Sequence, residues 1–310
     1  MKYFNSLPFY FFALCILGTH LQASASTDPD WEAFVKNYGR YVEKKLKVKK
    51  IPGGALSIVN AQARDYIHTM GHTKVRSGQK INPHTRFRLA SVSKTFAGSL
   101  AAKLANEEQL NLYFPVSHYI PEFKQTDYKD DLKVFHILSH SSGLVPNAYD
   151  NLIESRMGYS DIVEKLLSVK PICEPGDCYG YQNVMFSLID DVILKSTNKT
   201  YTQWLNDAFF IPLKMNDASL GYDAMVQDSN YAHPHVRGKK RWYSARLKKN
   251  YYKVAPAAGV NASASDMAIW LNAQLGQYPS VLSLEALATQ TRPYTHTKKE
   301  RYRRVWREHM

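Results

Sequence analysis

Cysteine is scarce in this 310-residue chain, with three in all, and none stands in the Cys-x-x-Cys spacing of redox or zinc sites. Long apolar runs are scarce too. Beyond the N-terminal segment no stretch reaches the roughly 18 uninterrupted apolar residues of a membrane-spanning helix, so no transmembrane span is expected. His-Glu-x-x-His and Gly-x-Ser-x-Gly are both missing, which removes the zinc-peptidase and α/β-hydrolase routes to hydrolysis. The histidine pairs that do occur, His136 with His140 and His233 with His235, lack the further ligands a metal needs. No metal and no cofactor are expected. Internal repeats and Gly/Ser-rich linkers are absent, which argues for one composite unit. Acidic residues are outnumbered, 27 against 40 Lys and Arg, leaving a formal net charge of +13.

What is present suits a globular protein. The chain is 45% hydrophobic and 22% charged, a balance that excludes disordered and collagenous classes. The N-terminus reads as a secretory signal: Lys2, an apolar segment from Leu7 to Gly18, then Ala23-Ser24-Ala25 before the polar Ser26-Thr27-Asp28. Cleavage there makes residues 1–25 the leader and 26–310 the mature unit, periplasmic or secreted. Cys15 leaves with the leader, and the bulky Leu14 before it argues against a lipid anchor. Cys173 and Cys178 remain, in Cys-Glu-Pro-Gly-Asp-Cys. In an oxidising compartment the Pro-Gly turn between them can close a small disulfide ring; the alternative is two reduced thiols.

Apolar residues at Trp31, Phe34, Val35, Tyr38, Val42 and Leu46 predict an amphipathic helix. Ile51-Pro52-Gly53-Gly54 ends it, and Ala55–Val59 with Tyr66–Met70 predict a hairpin. Helical patterns follow from Ser91 to Ala105, Ile162 to Leu167, Val184 to Leu194, Tyr201 to Phe210 and Met267 to Leu275. Strands followed by many helices predict an α+β fold with a mainly helical region over about 91–250. Basic residues interleave with aromatics from Arg237 to Lys253, and a second basic stretch runs from Lys298 to Arg307. For an exported chain these suit a solvated face or attraction to anionic envelope polymers, and no nucleic-acid partner is expected.

The chemistry concentrates in Phe87-Arg88-Leu89-Ala90-Ser91-Val92-Ser93-Lys94-Thr95-Phe96. Ser91 and Lys94 are three apart at a predicted helix start, so they share a face and the amine can reach the hydroxyl. A serine needs such a neighbouring base to become a nucleophile, and burial together with the helix dipole disfavours the ammonium form of Lys94. Alone, Ser-x-x-Lys also reads as a helix cap followed by a solvated lysine. A second constellation, Tyr181-Gln182-Asn183, precedes an apolar helix: Asn183 is placed to cap it, and the Tyr181 phenol to shuttle a proton beside a lysine.

The two motifs, in this order and about ninety residues apart, resemble the serine penicillin-recognising enzymes, specifically the class C β-lactamase and esterase branch. The resemblance extends to Val134–Leu144, containing His140-Ser141-Ser142-Gly143-Leu144, to Ile211-Pro212-Leu213-Lys214-Met215, and to Pro256–Leu271 with Gly259, Ser263, Asp266, Met267 and Trp270. It covers roughly Trp31 to Gly276. It implies a β-lactamase/transpeptidase-like fold, an antiparallel sheet flanked by helices. Ser91 then resembles the acylated nucleophile, Lys94 its activating partner, Tyr181 the general base or acid, and Asn183 a substrate-amide contact. The Ser91 N–H would give half of an oxyanion hole, and Asn147 a polar contact near it. The implied substrates are β-lactams, D-Ala peptides or esters, small or peptidoglycan-derived, handled by a monomer.

One family element is unmatched. The third motif, Lys or His, any residue, then Gly, belongs on a strand after the helix matched by Asp266–Leu275, and Thr295-His296-Thr297-Lys298-Lys299 lacks the glycine. The reading is a chain truncated before that motif, or a diverged form whose site is closed otherwise. Losing one oxyanion donor costs about 10² to 10³ in turnover, so weak or absent turnover is expected of the chain as written. A catalytically incomplete protein that binds peptidoglycan or a partner through the same cleft is the alternative.

Overall fold

The computed structural model describes residues 28–62, 64–128 and 130–295. The leader reading, Cys15, the unmatched third motif and the last basic stretch lie essentially outside those residues.

Helix α1 (Pro29–Val48) forms where the apolar spacing places it. The Asp28 side chain caps it by accepting from the backbone N–H groups of Asp30 and Trp31, and Pro29 occupies the first turn. Acidic Asp30 and Glu32 at its start and basic Lys45 and Lys47 at its end complement the helix dipole. Strands β1 (Gly53–Val59) and β2 (Asp65–Gly71) form the expected antiparallel hairpin, with Gly53 opposite Gly71 and Val59 opposite Asp65. Alternation along β1 assigns its faces. Gly54 lies against Leu46 of α1, whereas Ser57 donates to the Ala264 carbonyl, 2.6 Å away, on the opposite side. The hairpin is therefore sandwiched between α1 and the helix that begins at Ala264.

A second antiparallel sheet sits beneath the site. Strand β3 (Phe87–Arg88) and strand β4 (Ser219–Leu220) pair on either side of β5 (Val260–Ala262). From β3 the chain passes through a 3₁₀ turn, Ala90–Val92, into helix α2 (Ser93–Asn106). The helix expected to start at Ser91 thus starts two residues later, and Ser91 belongs to the tighter turn. The Ser93 hydroxyl accepts from the Val260 N–H at 3.0 Å, tying the start of α2 to β5.

Helix α2 is apolar nearly all round because it is the central helix of the core; Phe96, Ala97, Leu100, Ala101 and Leu104 are fully buried. Phe96 stacks on Trp270 with centroids 4.0 Å apart, and Phe209 meets the same indole edge-on at 5.2 Å. The indole N–H is satisfied by Thr95 Oγ1 at 3.1 Å.

The stretch expected as one helix from Val184 to Leu194 is two, α3 (Asn183–Ser187) and α4 (Ile189–Thr197), meeting at Leu188. The helix expected over Tyr201–Phe210 is α-helical only to Leu205 and ends in a π turn, Asn206–Phe210. That turn delivers Phe209 and Phe210 into the aromatic cluster around α2. Helix α5 (Ala264–Gln274) opens on a capping box in which Ser263 and Asp266 bond reciprocally. No helix among the described residues is long and apolar enough to cross a membrane.

Candidate active site

Two segments far apart in sequence meet above the N-terminus of α2. One is the 3₁₀ turn holding Ser91, entered through Ala90 at φ +47°, a left-handed backbone uncommon for alanine. The other is Tyr179–Asn183, which lies along His140–Asn147. Gly180 N–H donates to the His140 carbonyl at 2.8 Å, and Asn147 N–H to the Tyr181 carbonyl at 2.8 Å. The Gln182 side-chain amide bonds the Val145 carbonyl. Glycine is required at Gly180, where a Cβ would run into the Leu144 carbonyl, and at Gly143, which has φ +84° and backs onto the Cys173 carbonyl.

Cys173 and Cys178 are bonded to each other, with Cα atoms 6.3 Å apart. The ring they close braces the same segment, since Gly176 N–H donates to the Ser141 carbonyl at 2.7 Å and Ile172 N–H to the Gly143 carbonyl at 2.8 Å.

The Tyr181 hydroxyl stands between the other two groups. It donates to Ser91 Oγ at 2.8 Å and accepts from Lys94 Nζ at 2.7 Å. Lys94 gives its other hydrogens to Asn183 Oδ1 at 2.8 Å and to the Ala257 carbonyl at 3.1 Å. The amine was expected to reach the serine directly; its hydrogen bonds instead reach Ser91 through the phenol. Ser91 is exposed, while Lys94 is half-buried over the faces of Tyr181 and Phe186, 4.7 and 5.2 Å from their centroids. Burial lowers the lysine pKa, and the opposing influences are Tyr181 and the charge of Asp150. Desolvation by burial is the leading cause of the shift.

Asn183 does not cap α3. Gln182 is the N-cap residue, and Asn183 is the first helical residue, with its side chain turned inward. Its Nδ2 donates to both Asp150 carboxylate oxygens at 3.1 Å. Asp150 was not singled out from the sequence: it opens a helix of only five residues, with no spacing that announces it. Asn147 has φ +59°, is exposed at the rim, and makes no side-chain hydrogen bond among the described residues. The described residues contain no group of three or more His, Cys, Asp or Glu placed to hold a metal ion.

His140 is buried against Tyr181, ring centroids 4.5 Å apart, and its Nδ1 accepts from the Gln182 N–H at 3.2 Å. Burial and then the Lys94 charge push its pKa down to about 4. His136 is also held at about 4, by burial and then by Lys133. Because both pKa values lie below the ordinary 6.5, the unfolded chain binds more protons between pH 6.5 and 4. The stability they contribute is complete above 6.5 and is lost as pH falls towards 4. Asp190, raised by burial to about 6, acts in the opposite sense over that window, as do Asp150, Asp191 and Asp266, whose pKa values burial also raises. The histidine contribution to the unfolding free energy, measured by urea titration, should fall between pH 7 and 4.5, by on the order of 1–3 kcal/mol per histidine. His140→Asn, which keeps an acceptor without the titration, should flatten the dependence; an unchanged slope would contradict this assignment.

A mixed α/β fold of this kind is shared with solved penicillin-binding-protein homologues and class C β-lactamases. The octameric penicillin-binding protein homologue from Pyrococcus abyssi superposes with a TM-score of 0.75 at 21% identity, over 86% of this chain and 62% of that one. A class C β-lactamase gives a TM-score of 0.70 at 25% identity, over 85% and 70%. The chain belongs to the Beta-lactamase family, whose model matches residues 39–307, and its fold is that of the family's serine hydrolases. It is 26% identical over 236 residues to "Beta-lactamase" of Escherichia coli (strain K12), covering 76% of this chain and 60% of the relative. To "Protein flp" of Staphylococcus aureus (strain MW2) it is 24% identical over 242 residues, covering 76% and 47%. The chain thus spans between about half and three-fifths of the length of these two relatives.

Proposed function

We propose that this chain is a serine acyl-transfer hydrolase with Ser91 as nucleophile. The observation that carries the reading is the unbroken hydrogen-bonded line from Lys94 through Tyr181 to an exposed Ser91. Tyr181 acts as a phenolate facing the positive charge of Lys94: as Ser91 Oγ attacks a substrate carbonyl the phenolate takes the hydroxyl proton, and the phenol so formed delivers that proton to the departing nitrogen or oxygen and returns to the phenolate. The acyl group stays on Ser91 until water, activated along the same route, releases the acid and restores the hydroxyl. The Ser91 N–H, in the first turn of its 3₁₀ segment where no intrahelical acceptor exists, supplies one donor to the oxyanion. Asn147, held at the rim by its backbone bond to Tyr181, contacts the substrate.

The substrate class is an acylated amine or ester that fits a serine β-lactamase cleft: a β-lactam, a D-Ala-terminated peptide or a short ester. The E. coli relative's name supports the first of these. Export is part of the proposal, supported by the bonded Cys173–Cys178 pair, which suits an oxidising compartment. Hydrolysis of a chromogenic cephalosporin, a nitrophenyl ester and a D-Ala-D-Ala peptide, measured side by side, tests it. Weak but measurable turnover of at least one, with a burst equal to the enzyme concentration when deacylation is slow, is the expected result. Saturable binding of all three without hydrolysis or adduct would overturn it in favour of a binding protein.

A further inference from the structure

Among the described residues Asp150 is the one acid whose carboxylate touches the Lys94–Tyr181–Asn183 cluster, through Asn183. The chain reaches it through two left-handed residues, Asn147 at φ +59° and Tyr149 at φ +63°, which turn the backbone so that Asp150 opens a short helix, Asp150–Glu154. That helix is fixed from the far side. Lys253 Nζ donates to the carbonyls of Ile153, Ser155 and Met157 at 3.2, 2.8 and 2.7 Å. A carboxylate is thus delivered to Asn183 from 33 residues away, on a turn with little freedom to withdraw it.

We propose that Asp150 is a positioning residue of this site: its carboxylate holds the Asn183 amide in the one orientation that turns Oδ1 onto Lys94. The inference rests on the serine-hydrolase reading above for its consequence in catalysis, but the geometry stands independently. An amide can be flipped with little change of shape. Flipped here, Asn183 Oδ1 would face two carboxylate oxygens and its NH₂ would face an ammonium, both repulsive contacts at about 6% residue exposure. Asp150 removes that alternative. With both ends of the amide engaged, Asn183 works inward on Lys94, and not outward as the substrate contact that the resemblance implied.

Lys94 is then held by three fixed acceptors, which aim its charge at the phenol. The ionisable groups around this cluster are few. Tyr181 and His140 line the lysine, the charges of Lys94 and Glu154 act on Asp150, and Asp150 acts in turn on Tyr251. Arg88 lies over the rings of Tyr251 and Tyr252, at 5.6 and 4.9 Å from their centroids, and makes no ion pair with Asp150. Asp150 and Tyr181 are accordingly the groups that favour the charged form of Lys94.

Two variants separate orientation from charge. Asp150→Ala removes both, whereas Asp150→Asn keeps an acceptor for Asn183 Nδ2 without the charge. The full chain is followed by covalent labelling with a fluorescent penicillin, scored as acylation rate per folded molecule, and by titration of Lys94 with ε-¹³C-lysine NMR, assigned through Lys94→Gln. Asp150→Ala should acylate about 10- to 100-fold more slowly, and Asp150→Asn should recover most of that loss. The Lys94 titration should move to lower pH in both variants. Equal acylation rates in all three proteins, or a Lys94 titration that stays in place, would overturn the proposal; a residue that merely stabilised the fold would leave the titration unmoved. Absence of any label on the wild-type protein, with the Lys94 titration still displaced in the variants, would sink the hydrolase reading and leave the positioning role standing.

Discussion

Replacing Ser91 by alanine should remove hydrolysis of whichever substrate the wild-type protein turns over, by a factor on the order of 10⁴ to 10⁶, while leaving the protein folded. Both halves follow from where Ser91 sits. Its side chain is exposed and the one hydrogen bond it makes among the described residues is with Tyr181, so truncating it opens no cavity and strands no buried polar group. The folded-state stability should change by well under about 1 kcal/mol. The neighbouring serine, Ser93, cannot substitute for it. Ser93 is fully buried and its hydroxyl is occupied by the Val260 N–H. Substrate affinity should survive, since the cleft walls are untouched. A Ser91→Ala protein that still hydrolyses within about tenfold of wild type would place the chemistry elsewhere. Thermal melting and a binding measurement on the same preparation separate loss of chemistry from loss of fold.

Tyr181→Phe should be nearly as damaging, with a loss of about 10² to 10⁴ in acylation rate, because it deletes one oxygen from the middle of the line. The ring stays. Its contact with His140 at 4.5 Å and its face beneath Lys94 are both apolar or quadrupolar contacts that phenylalanine retains. What disappears is the only hydrogen-bonded connection between Lys94 and Ser91 among the described residues. Lys94 then keeps Asn183 and the Ala257 carbonyl as acceptors and points a proton at nothing. Both acylation and deacylation use the same phenol in this account, so the two steps should slow together. A variant that acylates at the wild-type rate but accumulates acyl-enzyme would instead confine Tyr181 to the water step.

Much of this site could be read from the sequence because its parts are local. Ser91 and Lys94 are brought together by the short 3₁₀ turn that runs into α2, and the pair would be neighbours in almost any fold that made the segment helical. The hairpin and α1 were likewise carried by alternation and by helical spacing, each reinforced by a turn or a cap. What stayed hidden depends on contacts between distant segments. Asp150 meets Asn183 only because two left-handed residues and a lysine, Lys253, about a hundred positions away set its helix in place. The π turn at Asn206–Phe210 brings Phe209 and Phe210 onto Trp270 and Phe96, and Leu188, where α3 and α4 meet, is buried in the same core, against which local propensity carries little weight. The expectation that Asn183 caps its helix failed for the same reason: a buried ammonium and a carboxylate compete for its amide more strongly than a backbone N–H does.

The central claim is that one exposed hydroxyl becomes acylated because a phenol and a buried amine are lined up behind it. Peptide-mapped mass spectrometry of the intact chain after exposure to a penicillin tests that most directly. The account predicts a single adduct of the whole drug mass, confined to the peptide carrying Ser91 and missing from both Ser91→Ala and heat-unfolded protein. An adduct on any other residue, or none after prolonged incubation of folded protein with any of the three substrate classes, would contradict it.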